Sequence, residues 1–284
     1  MRRIGGVRAN FGFVISALPL FLFLAIIIYA FFYLLQNGIK VLSWEFLTSF
    51  PKKGMTEGGI FPAVIGTIYV TFISLLFAVP IGVASGIYLS EYAPDNFFVK
   101  FIRISGRSLA GIPSIVYGLF GVAFFVRTLG MGMSILASGL TLSLLALPVL
   151  ITTTEEAMRT VPISFREAAL ALGATKWETI RFHVLPYAFP GILTGILLSF
   201  ARACGETAPI LFTGVTFYLK YLPRTPLSKF MALPYHLFIL ATQHENILKV
   251  RPLAFGTALV LLLLVLSFST LAFYFRKKMI KKEW

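Results

Sequence analysis

The sequence predicts an all-α, polytopic membrane protein with six transmembrane helices. Three observations carry that expectation. Of the 284 residues 58% are hydrophobic, and the mean hydropathy is +0.87, well above the usage of soluble globular domains. The apolar residues gather into runs of about 20, the length that crosses a hydrocarbon core of about 30 Å. The polar stretches between the runs carry Lys and Arg unevenly on alternate sides, as loops held on one face of a membrane do.

The elements follow in order. Arg2, Arg3 and Arg8 precede the apolar run 11–35. That run exceeds a signal peptide's apolar region of about 7–15 residues and has no clear small-residue cleavage site, so it reads as the first span. Residues 36–59 are a mixed loop containing Trp44 and Phe46, suited to the membrane interface. The second span is 65–89, with Pro80 and Gly82 as a kink that neighbouring helices can satisfy. Residues 90–107 hold Glu91, Asp95, Lys100, Arg103 and Arg107 and read as an inner loop. The third span is 108–126, interrupted by Pro113 and Gly118, and 127–132 is a tight outer turn. The fourth span is 133–153, with Pro148 inside; the fifth is 190–211. Residues 213–251 form a long outer loop rich in aromatics and Pro. The sixth span is 252–275, and Arg276, Lys277, Lys278, Lys281 and Lys282 follow it. The domain organisation is a first membrane helix with its outer loop (1–60), a membrane core (61–278) and a basic tail (279–284).

Six spans put both ends on one side. Fifteen Lys and Arg fall on the segments assigned inside, nine on those outside, and Arg202 lies within a span. This bias predicts that both termini are cytoplasmic, in a cytoplasmic (inner) membrane.

Composition also excludes. A net charge of +14 in so apolar a chain reflects loop placement rather than nucleic-acid binding. Asp95 is the only Asp and Cys204 the only cysteine, so no intrachain disulfide forms. His183, His236 and His244 are too scattered in sequence to imply a metal site. A membrane-embedded enzyme would find few catalytic groups here. A receptor would want a soluble domain that the sequence does not show. No GxxxxGK[ST] occurs, so any ATP that drives this chain is bound by another polypeptide. No cofactor is expected on the chain itself.

Residues 164–186 are a polar island between apolar runs. Ser164 with Glu167, and Thr175 with Glu178, each fit the capping-box pattern. Ala168, Ala169, Leu170, Ala171 and Leu172 favour a helix, Gly173 suits a helix-closing left-handed residue, and Pro186 is expected to stop a second helix. The reading is two short helices with a glycine hinge. A DNA-reading helix-turn-helix would look similar, but the flanks 136–153 and 189–200 are too apolar to be solvated.

Arg202 and Glu206 lie within the expected fifth span. Counted from Pro190 at about 1.5 Å per residue, Arg202 falls roughly 18 Å in, near mid-membrane. A charge there costs at least ~2.5–3.5 kcal/mol and points to function. Four residues apart, the two share a helix face and can pair. A pair that only fixes helix packing is the competing account, although a hydrophobic isostere often serves as well. As a site, the guanidinium fork matches an oxyanion. Glu206 would accept the O–H that hydrogen phosphate retains and sulfate lacks, which favours one over the other. Thr207 adds a hydroxyl, and Pro209 is expected to loosen the helix beyond.

Two resemblances follow. Glu167-Ala168-Ala169, Gly173, Ile180, Leu185 and Pro186 resemble the EAA loop of membrane subunits of ABC importers, here 161–186. Arg202 with Gly205-Glu206-Thr207-Ala208-Pro209 looks like the R-x-x-GETAP signature of the PstA permease family of phosphate-specific ABC importers. Residues 112–118 (IPSIVYG) and 88–92 (YLSEY) are also similar to that group. The resemblance implies a type I importer (MetI-like) permease fold and phosphate as cargo. It implies substrate-pathway roles for Arg202, Glu206 and Thr207. It implies ATPase coupling through Glu167, Ala168, Ala169 and Gly173. It also implies a PstC-like permease as heterodimer partner, a PstB-like ATPase dimer that binds the ATP, and a PstS-like phosphate-binding protein. A permease for another oxyanion or a phosphonate, and the sister PstC-type subunit, stay open as alternatives.

Overall fold

The computed structural model describes residues 6–280. Arg2, Arg3, Lys281 and Lys282, which enter the charge bias, lie outside the described residues. Among the described residues, five helices are long and apolar enough to cross a membrane: Ala17–Gly38, Phe61–Glu91, Ile135–Arg159, Lys176–Gly205 and Ile247–Lys278. The bent pair Phe97–Ala110 and Ser114–Thr128 makes a sixth when counted as one span.

Helix α1 (Gly6–Gly38) is built of Leu, Ile and Phe with Pro19 inside. From Leu18 to Tyr33 its large apolar side chains stay exposed, a surface fit for lipid. Its far end turns onto the last helix, where Tyr33 and Phe255 meet edge to face with ring centroids 5.5 Å apart. The loop that follows is structured. Helix α2 (Trp44–Thr48) is capped by Ser43, whose Oγ accepts from the Phe46 N–H at 3.1 Å. Phe46 is buried while Trp44 is exposed. Strands β1 (Pro51–Lys52) and β2 (Glu57–Gly58) pair antiparallel around a left-handed turn at Lys53, Gly54 and Met55.

The core is three helices: α3 (Phe61–Glu91) and, further on, α6 (Ile135–Arg159) and α9 (Leu185–Gly205). Lipid tails are as apolar as Leu, so helices here associate by close packing of small residues. Ala78 of α3 packs with Ala146 and Leu150 of α6. A Cβ at Gly86 would strike Thr154, and one at Gly195 would strike Thr153.

The third span departs from expectation. Helix α4 (Phe97–Ala110) and helix α5 (Ser114–Gly121), which continues as a π-helical turn over Val122–Thr128, meet at 100°. The crossing part begins at Ser114, not at 108, and Pro113 is its N-cap rather than an interruption. The reason is local. Gly111 closes α4, and a proline disfavours the helical conformation of the residue before it. Residues 97–110, expected as inner loop and start of a span, are an amphipathic helix. Phe97, Phe98, Phe101 and Ile104 are exposed beside Lys100 and Arg107, a composition suited to lying in an interface.

Helices α7 (Ile163–Ala171) and α8 (Lys176–Thr179) follow α6. A π-helical turn over Ile180–Val184 leads from α8 into α9. Helix α10 (Ala208–Thr213) follows α9 after a break. Residues 213–251 are expected as an outer loop; of these, 214–246 fold back onto the bundle and the rest belong to the flanking helices. Phe230, Met231, Ala232 and Leu233 are buried. The Leu233 N–H donates to Thr67 Oγ1 at 2.8 Å, and Gly66 lies against the Met231 carbonyl. Helix α11 (Leu233–Phe238) and a π-helical turn over Ile239–Gln243 complete this plug. Helix α12 (Ile247–Ile280) returns along α1 and α9.

Candidate functional site

The charged pair sits where α9 ends. Pro209 has no N–H to give the Gly205 carbonyl, which favours a break here. Glu206 takes extended dihedrals (φ −74°, ψ 129°), and the chain restarts at Ala208. The Glu206 backbone N–H still donates to the Arg202 carbonyl at 3.1 Å. Arg202 Nε donates to Glu206 Oε1 at 3.2 Å, with the side chains 34% and 18% exposed. The pairing expected from their spacing is therefore present. Among the described residues, Arg202 Nη1 and Nη2 make no hydrogen bond, so two nitrogens of the fork remain available. Thr207 is half-buried within the break. Non-helical backbone at membrane depth is tolerated where protein or a watery cavity covers it. Here α5 covers it: a Cβ at Gly118 would meet the Ala208 carbonyl and Pro209, each at 3.0 Å.

Arg202 is not in the middle of a helix. Pro186 does not stop the preceding helix: it occupies the first turn of α9, and the π-helical turn over Ile180–Val184 takes up the misfit. Lys176–Gly205 thus forms one apolar segment of 30 residues, with Arg202 in its last turn. A cation there faces the negative end of the helix macrodipole, which offsets part of its desolvation cost. Likewise Glu206 caps α9 rather than lying inside it.

The polar island forms two short helices joined at Gly173, as expected. Gly173 has φ +88°, and the Ala174 N–H donates to the Ala169 carbonyl at 3.1 Å, which satisfies an orphan carbonyl of α7. The Thr175–Glu178 capping box is present: the Thr175 N–H donates to Glu178 Oε2 at 2.8 Å, and the Glu178 N–H to Thr175 Oγ1 at 3.3 Å. The Ser164–Glu167 box is not. The helix starts two residues earlier, at Ile163 with Pro162 as its N-cap, so Ser164 is already inside it and the N-cap makes no side-chain bond. Glu167 and Ala168 are exposed, while Ala169 faces the bundle. Ile163, Leu170, Trp177 and Leu172, the last 90% exposed, give the same surface an apolar character.

Two anchors were not singled out from the sequence. Arg166 Nη2 donates to Glu91 Oε1 at 2.7 Å and to the Met158 carbonyl at 2.9 Å; Nη1 donates to the Val161 carbonyl at 2.7 Å. Glu155 accepts from Arg103 Nε at 2.8 Å and from Arg159 Nη2 at 2.7 Å. Only the Glu155–Arg159 spacing of four carried a local signal. The other partners are far away in sequence. Together these pairs tie α4, α6 and α7 to the end of α3.

Comparison with known proteins is consistent with this architecture. Residues 78–281 match the family described as the binding-protein-dependent transport system inner membrane component. The chain is 40% identical over 189 residues to the probable ABC transporter permease protein YqgI of Bacillus subtilis, covering 66% of this chain and 64% of that one. It is 40% identical over 202 residues to the phosphate transport system permease protein PstA of Mycobacterium leprae, covering 70% and 64%. Its match thus spans a little under two thirds of these two relatives. It is 33% identical over 257 residues to the probable phosphate transport system permease protein PstA of Methanocaldococcus jannaschii, covering 90% and 89%. Among solved structures, a chain of a bacterial alginate ABC transporter in complex with an alginate-bound periplasmic protein superposes with TM-score 0.68 at 14% identity, over 94% of each chain. A chain of the inward-facing MetNI methionine transporter gives 0.54 at 16%, over 78% of this chain and 94% of that one. At these identities the likeness shows the fold.

Proposed function

The chain belongs to the family of binding-protein-dependent transport system inner membrane components, and from that premise we propose that it is a permease subunit of an ATP-driven importer of inorganic phosphate. The observation that carries the substrate is Arg202. Its guanidinium stands at a helix break and, among the described residues, is held by Glu206 through Nε alone and keeps Nη1 and Nη2 available. Two parallel N–H donors match two oxygens of a phosphate. Glu206 then accepts the O–H of hydrogen phosphate, and Thr207 offers a hydroxyl from the same break. The names of the relatives from Mycobacterium leprae and Methanocaldococcus jannaschii support this reading.

The chain forms half of a pathway, with a PstC-like permease as the other half. A PstS-like binding protein delivers phosphate from outside. A PstB-like ATPase dimer binds and hydrolyses ATP on the cytoplasmic side, where both termini also lie. The surface made by Glu167, Ala168 and Gly173, with Ala169 beneath it, receives the ATPase. Arg166 and Glu155 pass its movement to α3, α4 and α6 as rigid contacts. Phosphate binding alone does not switch access. The nucleotide state must favour one conformation over the other, and the cargo must meet Arg202 differently in each.

Uptake of labelled phosphate into proteoliposomes holding the assembled importer tests this. Arg202→Gln is expected to lose uptake while the complex assembles and its ATPase remains measurable. Full uptake by that variant would remove Arg202 from the pathway. Wild-type uptake blocked equally by sulfate or molybdate would reassign the cargo.

A further inference from the structure

A groove of about 290 Å³ opens on the outside of the bundle between α3, α9 and α12. Its walls are apolar, chiefly Phe72, Leu197, Phe200, Leu264, Phe268 and Ala272. At one end it closes on Thr71 and Cys204, whose Oγ1 and Sγ lie 3.5 Å apart. The Phe200 and Phe268 rings meet at 4.6 Å, between centroids, and hold α9 against α12. Along α9 the lining runs from Leu193 to Cys204, which at 1.5 Å per residue is about 16 Å. That is the depth of one leaflet of a hydrocarbon core about 30 Å thick.

The other end points toward the end of α12. Arg276 lies four residues beyond Ala272, and Lys278 seven beyond Leu271, so both border the face that lines the groove. Lys277 falls on the opposite face. Helix α12 contains no Asp or Glu, and among the described residues no acidic side chain pairs with Arg276, Lys277 or Lys278.

We propose that this groove holds one acyl chain of an anionic phospholipid, with the lipid phosphate between Arg276 and Lys278. A leaflet-deep apolar slot with Arg276 and Lys278 bordering its mouth matches the two parts of an anionic lipid, and suits it better than a helix whose own end is basic, as that of α1 is at Arg8. It also suits a lipid better than free phosphate, which has nothing to place in the slot. The site is separate from Arg202, and it stands whether or not phosphate is the cargo.

Native mass spectrometry of the purified complex tests it, with phosphatidylglycerol and phosphatidylcholine of identical acyl chains as probes. Wild type is expected to retain phosphatidylglycerol preferentially. Arg276→Gln with Lys278→Gln should lower that preference roughly tenfold, the effect of one to two cations near a membrane surface. Lys277→Gln should leave it within about twofold, because that residue faces away. Ala272→Trp, which fills the slot, should weaken both lipids alike. The proposal is overturned if wild type shows no headgroup preference, or if Lys277→Gln costs as much as the double variant. Displacement of phosphatidylglycerol by inorganic phosphate alone would also overturn it. If Ala272→Trp prevents assembly, Leu197→Phe makes the same test of the slot.

Discussion

Arg166 Nη2 and Glu91 Oε1 lie 2.7 Å apart although 75 residues separate them in the chain. The same nitrogen also reaches the Met158 carbonyl, at 2.9 Å. One side chain thus joins the exposed α7 to the ends of two core helices. Glu91 is 8% exposed and Arg166 20%, so neither charge is freely solvated. Removing the cation leaves a mostly buried carboxylate unpaired, at a cost of about 2–3 kcal/mol, less than for a fully sealed pair. Arg166→Ala is therefore expected to loosen α7 without unfolding the spans. Limited proteolysis should show faster cleavage within 163–175, and cargo-stimulated ATPase activity should fall. Arg166→Lys keeps the charge but not the fork that reaches two carbonyls, so it should be intermediate. An alanine variant cleaved and stimulated like wild type would show that the clamp is dispensable.

Gly173 makes a cleaner test of the surface beside it. Its φ is +88°, yet nothing lies within 4 Å of where a Cβ would stand. A substitution within this chain therefore meets only backbone strain, about 1–2 kcal/mol for Ala and less for Asn. Transport should rank Gly173 above Gly173→Asn and Gly173→Asn above Gly173→Ala, all with normal membrane levels. Gly173→Asp is nearly the same shape as Gly173→Asn. If it alone abolishes ATPase-linked transport, the added charge is felt by a partner; equal transport by the two would deny that a partner docks there.

What was legible in the sequence was local. Gly173, the Thr175–Glu178 box and the spacing of Arg202 and Glu206 each depend on neighbours within about one turn, and the structure has all three. What was misread needed more of the chain. Ser164 fits a capping box in isolation, but Pro162 starts the helix first. Pro186 reads as a stop, but a π-helical turn absorbs its missing N–H. Residues 108–126 pass as a continuous span by hydropathy, which does not register a 100° bend at Pro113. Residues 214–246 look like a loop because their aromatics lack helical periodicity, although Phe230 to Leu233 are core. The ion pairs Arg103–Glu155 and Arg166–Glu91 have no sequence signal, since only folding brings them together.

The packing of α6 on α9 gives a stability prediction. A Cβ on Gly195 would fall on Thr153 Oγ1. That hydroxyl already donates to the Val149 carbonyl at 2.8 Å, so it has little freedom to yield. Gly195→Val is expected to force the helices apart and cost about 1–3 kcal/mol, seen as a lower melting temperature of the purified complex. Gly205→Ala, with open space around its Cβ, should melt like wild type. Equal melting of Gly195→Val and wild type would contradict the close approach of the two helices.

Glu206 bears the sharpest claim about selectivity. It accepts from Arg202 Nε at 3.2 Å, so it orients the guanidinium and stands beside the two nitrogens that make no hydrogen bond among the described residues. A carboxylate so near should repel any oxyanion that brings no proton to share. Hydrogen phosphate brings one; sulfate at neutral pH does not. Glu206→Gln removes the charge and presents an amide that can donate or accept. On the proposed reading the phosphate O–H then loses a charge-assisted bond of about 1.5–3 kcal/mol, while the repulsion expected to exclude sulfate disappears. Phosphate uptake by Glu206→Gln should fall roughly tenfold or more on that scale, and sulfate should become a competitor. Glu206→Asp, one methylene shorter, should keep sulfate out even if it transports slowly. Unchanged phosphate uptake and unchanged sulfate exclusion in the Gln variant would leave Glu206 a structural partner of Arg202 and nothing more.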